Sequence, residues 1–348
     1  MSDKITFSSI INKTITSSMK TSEKVICFGL GVTDPKGVFG TTLGLEKKFG
    51  KHRVFDVPAS ENALTGFAIG ASLNNQIPIL THQRLDFALL SLDQIINGAA
   101  KWLYMFGGQS SIPITIRMIM GRGWGQGPTH SQNLHSIFSH IPGLKVVTAS
   151  LPNDSANLLY SSIFDPNPVI FLEHRWLHNT LGDIPRNFKK DQLGKCKIVR
   201  KGKDITLVSF SYMVIECIEA AKILEKYNIS CEVVDVRTIS PLDFKTLEKS
   251  VSKTKRALIT DTSNSFCGIS STISNFFYSK INDLKSKIKI LSMPFSPEPT
   301  SYKLIDDFYN DRYDISNCVL KMFKKNIKVI NKNKIKADIP GDWFKGPF

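Results

Sequence analysis

The chain has 348 residues, of which 42% are apolar, so it is long enough for two domains with buried cores and is not a disordered or low-complexity protein. Its formal net charge is +15, but the lysines are scattered and no nucleic-acid-binding signature occurs, so a lysine-rich background explains the charge better than an acidic partner surface does. Without a secretory signal, an apolar run of roughly 18 residues or a C-x-x-C pair, the chain is expected to be a reduced, cytoplasmic protein that binds no nucleic acid and no membrane.

The first half of the chain alternates short β-branched runs with segments of helical period. The predicted strands are residues 24–28, 53–57, 78–81, 113–118, 145–149 and 169–172. The predicted helices between and after them are residues 42–49, 62–74, 85–106 and 153–164. This alternation predicts an α/β fold with a mostly parallel sheet that is covered by helices on both faces.

The alternation breaks at residues 180–201, where Gly, Pro and Lys accumulate, and then restarts. Predicted strands 204–210, 230–236, 256–260 and 287–291 now alternate with predicted helices 213–226, 243–251 and 267–281. We therefore predict two domains, residues 1–190 and 191–335. The aperiodic tail 336–348 contains Trp343, Phe344 and Phe348, and we expect it to be an arm that packs on a neighbouring chain.

Glu61 is a candidate catalytic acid. It follows the predicted strand 53–57 and precedes a helix that is nearly free of charge. Ligands of open α/β sheets bind beyond the carboxyl ends of strands, and an apolar helix behind a carboxyl group favours its protonated form. An ordinary acid in the first turn of a helix, stabilised by the helix dipole, explains the same position.

Two further segments follow strands in the same way. Phe87 comes after the strand 78–81, where its ring could stack on a flat ligand or simply fill the core. The glycine-rich segment 120–132 has neither a P-loop ending nor a dinucleotide-binding fingerprint, so it is a weak candidate for a phosphate cradle. His130 in this segment could exchange protons near neutral pH, or it could hydrogen-bond within a surface loop.

In this order and spacing, these segments resemble the beta subunit of the first component of 2-oxo acid dehydrogenases, such as the pyruvate and branched-chain enzymes. The resemblance covers nearly the whole chain, and its specificity comes from the set of motifs and not from any single one. The runs that carry it include GVFGTT (37–42), TGFAIG (65–70), LDQIIN (92–97), HSQ (130–132), IPGLKVV (141–147) and DPNPV (165–169).

The resemblance implies a pyrimidine-binding domain followed by a transketolase-type C-terminal domain, with thiamine diphosphate as cofactor. It places Glu61 at a nitrogen of the cofactor's aminopyrimidine ring, Phe87 on the face of that ring and Gln83 beside it. It also places His130 at the substrate. Glu61 and His130 are thus the predicted catalytic residues, with a proton shared between Glu61 and the ring activating the cofactor.

The resemblance further implies a potassium site in which backbone groups bind the ion. Such a site depends on backbone geometry, which sequence alone does not define. The matching positions are Ile114, Ser162, Ile163, Asp165 and Asn167.

One motif of thiamine enzymes is missing. These enzymes hold the diphosphate through a divalent metal on a Gly-Asp-Gly segment, and this chain contains none. The sequence therefore predicts that an alpha-type subunit supplies the Mg²⁺–diphosphate site. Self-association and a lipoyl-bearing acyltransferase are further expected partners.

The sequence also departs from the family at three places. Leu30 stands where the family often has an acid that is associated with proton communication between active sites, and the loop 122–129 and the segment 261–268 differ from the pyruvate enzymes. The principal hypothesis is a beta-type subunit that decarboxylates a 2-oxo acid and transfers the acyl unit to lipoyl or another acceptor, such as an aldehyde or ketone. The alternatives are the C-terminal half of a split transketolase-like ketol transferase and a silent partner, against which the intact Glu61 and His130 argue.

Overall fold

The computed structural model describes residues 4–123, 125–185, 187–329, 339–340 and 344. Its strands are β1 Ile5–Thr6, β2 Val25–Phe28, β3 Val54–Phe55, β4 Ile77–His82, β5 Thr115–Met120, β6 Lys145–Ala149, β7 Val169–His174, β8 Leu181–Gly182, β9 Lys197–Arg200, β10 Ile205–Ser209, β11 Cys231–Asp235, β12 Thr238–Ser240, β13 Ala257–Asn264 and β14 Lys289–Met293. Its α-helices are α1 Phe7–Thr21, α2 Leu45–Phe49, α3 Glu61–Leu73, α4 Leu85–Ala88, α5 Ala100–Met105, α6 His135–Ser139, α7 Pro152–Ile163, α8 Met213–Glu225, α9 Phe244–Thr254, α10 Ile269–Lys280, α11 Tyr302–Phe308 and α12 Arg312–Met322.

The first large sheet has seven strands in the order β12-β6-β7-β5-β4-β2-β3. All neighbouring pairs are parallel except β12 with β6. Strands β4, β5 and β7 are almost wholly buried, as expected for strands covered on both faces. Parallel pairing places the carboxyl ends of β2, β3, β4 and β5 at one edge of the sheet, and every candidate catalytic residue follows one of these ends.

The second large sheet has five strands in the order β14-β13-β10-β11-β9, with β9 antiparallel at one edge. The short strand β12 leaves this half of the chain and pairs with β6 of the first sheet, where Thr238 lies opposite Val147. The predicted mostly parallel α/β fold is confirmed. The boundary near residue 190 stays a prediction. Strand β12, which belongs to the second half of the chain, forms an edge strand of the first sheet.

The predicted helix 85–106 is helical in the structure over residues 85–105. Its hydrogen-bond pattern changes from α in α4 through a 3₁₀ turn and a π-helical turn Gln94–Ala99 back to α in α5. Gly98 in the π turn lies against α3, since a Cβ there would be 2.9 Å from Ile69 Cδ1. The predicted helix is confirmed, but an apolar period does not reveal an extra residue in a turn, so the π-helical turn was not predicted.

The predicted C-terminal arm is described only at residues 339, 340 and 344. Phe344 is buried in this chain's own core, and Ile339 packs against the same cluster. For Phe344 the expectation that the arm packs on a neighbouring chain is therefore wrong. Trp343 and Phe348 lie outside the described residues.

A buried ion pair joins the two central strands β5 and β7. Arg117 Nε lies 2.7 Å from Glu173 Oε1, and both side chains are fully buried. A second bond of 2.9 Å from Arg117 Nη2 makes the pair bidentate. Burial raises the pKa of Glu173, but Arg117 and His178 outweigh it, so that the pKa lies below its ordinary value.

We expect Glu173→Gln to lower the free energy of unfolding by about 3–5 kcal/mol, because it leaves the Arg117 charge buried and unpaired. Chemical denaturation at pH 7 measures this loss, and the double variant Arg117→Met/Glu173→Leu should recover most of it. Since the folded-state pKa of Glu173 is depressed, its contribution is present above the ordinary carboxyl pKa and is lost as pH falls through the folded-state value. A loss below about 1 kcal/mol would contradict the expectation.

Candidate active site

The predicted pyrimidine-binding residues lie together. Glu61, Gln83 and Phe87 line one small pocket at the carboxyl edge of the first sheet, although they come from the start of α3, the end of β4 and α4. The remaining lining residues are Leu30, Ala59, Leu64, Thr81 and His82. The structure thus brings all three proposed cofactor residues to one small pocket, and it places Leu30 at the same pocket.

Glu61 is the first residue of α3 and is half-buried. Its backbone carbonyl accepts a hydrogen bond of 2.9 Å from the Thr65 hydroxyl, which anchors the first turn. Within residues 4–123, 125–185, 187–329, 339–340 and 344, no side chain or backbone N–H pairs with its carboxylate. The carboxylate is therefore free to bind a polar atom of a ligand.

Gln83 is held against the loop that follows β2. Its Nε2 donates a 3.0 Å hydrogen bond to the carbonyl of Leu30. Gly31, with φ of +76°, makes this approach possible, because a Cβ there would lie 2.2 Å from Gln83 Nε2. The amide of Gln83 is thus fixed at the pocket wall by the backbone at the position where the family's acid is replaced.

His130 does not line the pocket itself, but its ring contacts the ring of Phe87, which does. The two rings meet edge to face, with centroids 5.4 Å apart and an interplanar angle of 87°. His130 Nδ1 lies 2.9 Å from Thr129 Oγ1. A ring that can exchange protons therefore borders the ring proposed to carry the cofactor.

Two residues that the sequence did not single out as ligands position the His130 segment. Arg84 donates a 3.2 Å hydrogen bond to the His130 carbonyl. Asp86 accepts a 2.9 Å bond from the side chain of Gln132. Burial lowers the pKa of Arg84, an effect that neighbouring Asp86 opposes. These contacts join residues more than forty positions apart, and local sequence carries no signal for them.

The glycine-rich segment 120–132 serves close packing. Gly125 and Gly127 have φ of +63° and +72°, and a Cβ on them would lie 2.6 Å and 2.4 Å from atoms of Thr300. The segment therefore docks on the second half of the chain, which holds His130 in place. Trp124 lies outside the described residues.

The five proposed potassium positions lie at the opposite edge of the sheet, near the amino ends of β5 and β7. The Ile114 carbonyl accepts the Val169 N–H at 2.9 Å, and the Ser162 carbonyl accepts the Asp165 N–H at 3.3 Å. Lys145 Nζ lies 2.5 Å from the Asp165 carboxylate. Potassium binding stays a prediction. Among the described residues, no group of three or more His, Cys, Asp and Glu side chains could hold a metal ion.

Comparison with known proteins assigns the family. Residues 3–179 match the model of the transketolase pyrimidine binding domain, and residues 194–314 match that of the transketolase C-terminal domain. The chain is 38% identical to the beta subunit of acetoin:2,6-dichlorophenolindophenol oxidoreductase of Cupriavidus necator, over 93% of this chain and 99% of that protein. It is 36% identical to the pyruvate dehydrogenase E1 component subunit beta of Rickettsia bellii, over 91% and 98%. The chain belongs to this transketolase-type family of dehydrogenase beta subunits.

A solved structure shares the fold. A split gene transketolase, described as an inactive beta4 tetramer, matches with a TM-score of 0.74 and 18% identity over 92% of this chain and 99% of that one. The higher identity to dehydrogenase beta subunits confirms the principal interpretation of the sequence over a split transketolase. In the part of the chain that the structure describes, no helix has the length and apolar character to cross a bilayer.

The pocket fits the pyrimidine half of thiamine diphosphate, the cofactor of this family. An unpaired carboxylate faces it from Glu61, an aromatic ring from Phe87 and apolar surface from Leu64. When bound, the cofactor supplies a carbon nucleophile and an electron sink. The residues of this chain that would hold the ring are Glu61, Gln83 and Phe87.

Substitutions at His130 and Phe87 should separate the chemical step from cofactor binding. In the assembled enzyme we expect His130→Ala to lower kcat by about 10²–10³-fold with little change in cofactor affinity, because its ring is predicted to serve proton transfer at the substrate. We expect Phe87→Ala mainly to weaken cofactor binding, by about tenfold, because it removes the stacking surface. Cofactor titration combined with kcat at saturating cofactor measures both effects. Collapse of cofactor affinity in His130→Ala with unchanged saturated turnover would make its assigned role wrong.

Proposed function

We propose that this chain is the beta subunit of a cytoplasmic, thiamine-diphosphate-dependent enzyme that decarboxylates a 2-oxo acid and passes the acyl unit to a lipoyl group or another acceptor. The observation that carries the proposal is the single pocket lined by Glu61, Gln83 and Phe87 with His130 in ring contact. The free thiols of all six cysteines are consistent with a reducing compartment.

Each residue has a separate task in this proposal. Glu61 holds a proton at a ring nitrogen of the cofactor, and Phe87 supports the face of the ring. Gln83, fixed by the Leu30 carbonyl, borders the ring edge. His130 donates or accepts the proton at the substrate.

The other half of the site belongs to partners in this proposal. An alpha-type subunit supplies the Mg²⁺–diphosphate contacts, the beta chain associates with itself, and a lipoyl-bearing acyltransferase accepts the acyl unit. A potassium ion at Ile114, Ser162, Ile163, Asp165 and Asn167 would brace the far edge of the sheet. The absence of a Gly-Asp-Gly segment from the sequence supports the alpha-type partner.

Acetoin is a second candidate substrate. Beta subunits whose names specify acetoin, from Cupriavidus necator and Bacillus subtilis, are 38% and 37% identical to this chain, as close as the pyruvate relatives. Acetoin is a neutral hydroxyketone, whereas a 2-oxo acid is an anion that loses CO₂. The two substrates therefore require different charge complementarity at the pocket mouth.

Co-expression with an alpha-type subunit, followed by assay with an artificial electron acceptor, tests the proposal. Turnover of a 2-oxo acid with CO₂ release supports it, and turnover of acetoin alone reassigns the substrate. Ketol transfer between sugar phosphates would identify a transketolase-like enzyme instead. Cofactor binding without any turnover would leave the silent-partner interpretation.

A further inference from the structure

His82 is a pocket residue to which the sequence assigns no role. It is the last residue of β4, is only 4% exposed and lines the same pocket as Glu61, Gln83 and Phe87. Its neighbour Thr81 points to the other face of the sheet, where its hydroxyl lies 3.4 Å from Arg117 Nη1. Leu80, two residues earlier in β4, packs in one cluster with Ala68 and Ile69 of α3, so alternation along the strand directs His82 toward the face that α3 covers.

The imidazole of His82 is incompletely satisfied. Its Nε2 is buried and has no hydrogen-bond partner in the part of the chain that the structure describes. Burial lowers the pKa of His82 to about 4, so the ring is neutral at physiological pH and offers one donor and one acceptor. A buried polar atom without a partner is unfavourable unless something outside the chain pairs with it.

Its position in the pocket indicates what that partner is. Other buried unpaired atoms, such as Ser72 Oγ and Thr115 Oγ1, belong to residues that do not line this pocket. Of the remaining polar side chains in the lining, Gln83 already bonds the Leu30 carbonyl and Thr81 faces away. Glu61 and His82 are thus left to bind a ligand with at least two polar atoms.

We propose that His82 is a further ligand-contacting residue, whose Nε2 hydrogen-bonds the nitrogen-bearing ring that occupies this pocket. The inference rests on the proposed function, in which that ring is the aminopyrimidine of thiamine diphosphate. Glu61 binds one ring nitrogen, and His82 binds a second polar atom, either the exocyclic amino group or the other ring nitrogen. A neutral imidazole suits both because its tautomer sets whether Nε2 donates or accepts.

Two opposite effects of His82→Leu test the contact. In the assembled enzyme, we expect thiamine diphosphate to bind about tenfold more weakly, the size of one lost hydrogen bond in a buried site. In the cofactor-free chain, we expect the unfolding temperature to rise by about 2 °C, because an unpaired buried nitrogen has been removed. A purely structural histidine would instead lower the unfolding temperature. His82→Asn, which keeps a donor and an acceptor, should recover part of the affinity, and the exposed His52→Leu should change neither quantity.

Cofactor analogues locate the bonded atom. One analogue lacks the exocyclic amino group, and another has carbon in place of the ring nitrogen that Glu61 does not bind. For one of the two, wild type and His82→Leu should bind equally, since the partner atom is gone from both complexes. Unchanged affinity of His82→Leu for thiamine diphosphate, or the same tenfold loss with both analogues, would overturn the contact. Failure of the wild-type assembly to bind thiamine diphosphate would contradict the proposed function instead.

Discussion

Replacing Glu61 by Gln or Ala is expected to lower turnover of the assembled enzyme by about 10³-fold or more, because neither side chain can share a proton with the cofactor ring. The fold should persist. The Glu61 carboxylate pairs with no group in the described residues, and the Thr65 hydroxyl bonds its backbone carbonyl, which the substitution retains. The free energy of unfolding should therefore change by no more than about 0.5 kcal/mol.

Glu46 provides the matched control. It is also an acid in the first turn of a helix, α2, and it does not line the pocket. If Glu61 served only to complement a helix dipole, Glu61→Gln and Glu46→Gln would have the same small effects. Steady-state turnover and thermal unfolding of both variants separate the two explanations. Near-normal activity in Glu61→Ala would remove the central assignment of the site.

Most strands were predictable because each is a short β-branched run between turn residues, and parallel pairing then placed their carboxyl ends at one edge.

The helix α1 was missed because its buried face includes Thr14 and Ser18. Their hydroxyls donate to carbonyls four residues earlier, at 2.8 Å and 3.0 Å, so polar residues occupy an apolar stripe at little cost. The strand β12 was missed because its partner β6 lies about ninety residues earlier in the chain.

The site shows a similar division between local and long-range information. The positions of Glu61 and Phe87 after strands and the family motifs were enough to predict that both lie at one pocket. His82 carries no local signal, since a histidine at a strand end is usually a core or surface residue, and only the pocket gives it a role. The contact between Arg84 and the His130 carbonyl likewise depends on the tertiary fold.

The isolated chain is expected to bind thiamine diphosphate and Mg²⁺ poorly and to decarboxylate no 2-oxo acid. Its pocket offers Glu61, Gln83 and Phe87 to the pyrimidine ring, but most of the charge of the cofactor lies on its diphosphate. Metal bridging is the usual way to hold that charge. Without it we expect affinity to fall by on the order of 100-fold or more relative to the complex with the alpha-type subunit, since charge-assisted bonds to phosphate are among the strongest contacts available.

Calorimetric titration with thiamine diphosphate and Mg²⁺, with and without the alpha-type subunit, measures this dependence. The alpha-type subunit is expected to raise the affinity mainly through contacts to the diphosphate. Thiamine without phosphates should therefore bind the isolated chain and the complex with similar, weak affinity. Phe87→Ala should abolish the residual binding of thiamine to the isolated chain, because that binding uses only the pyrimidine side of the site. Tight, Mg²⁺-dependent binding of thiamine diphosphate by the chain alone would show that the missing half of the site lies within it, and the two-subunit interpretation would then be wrong.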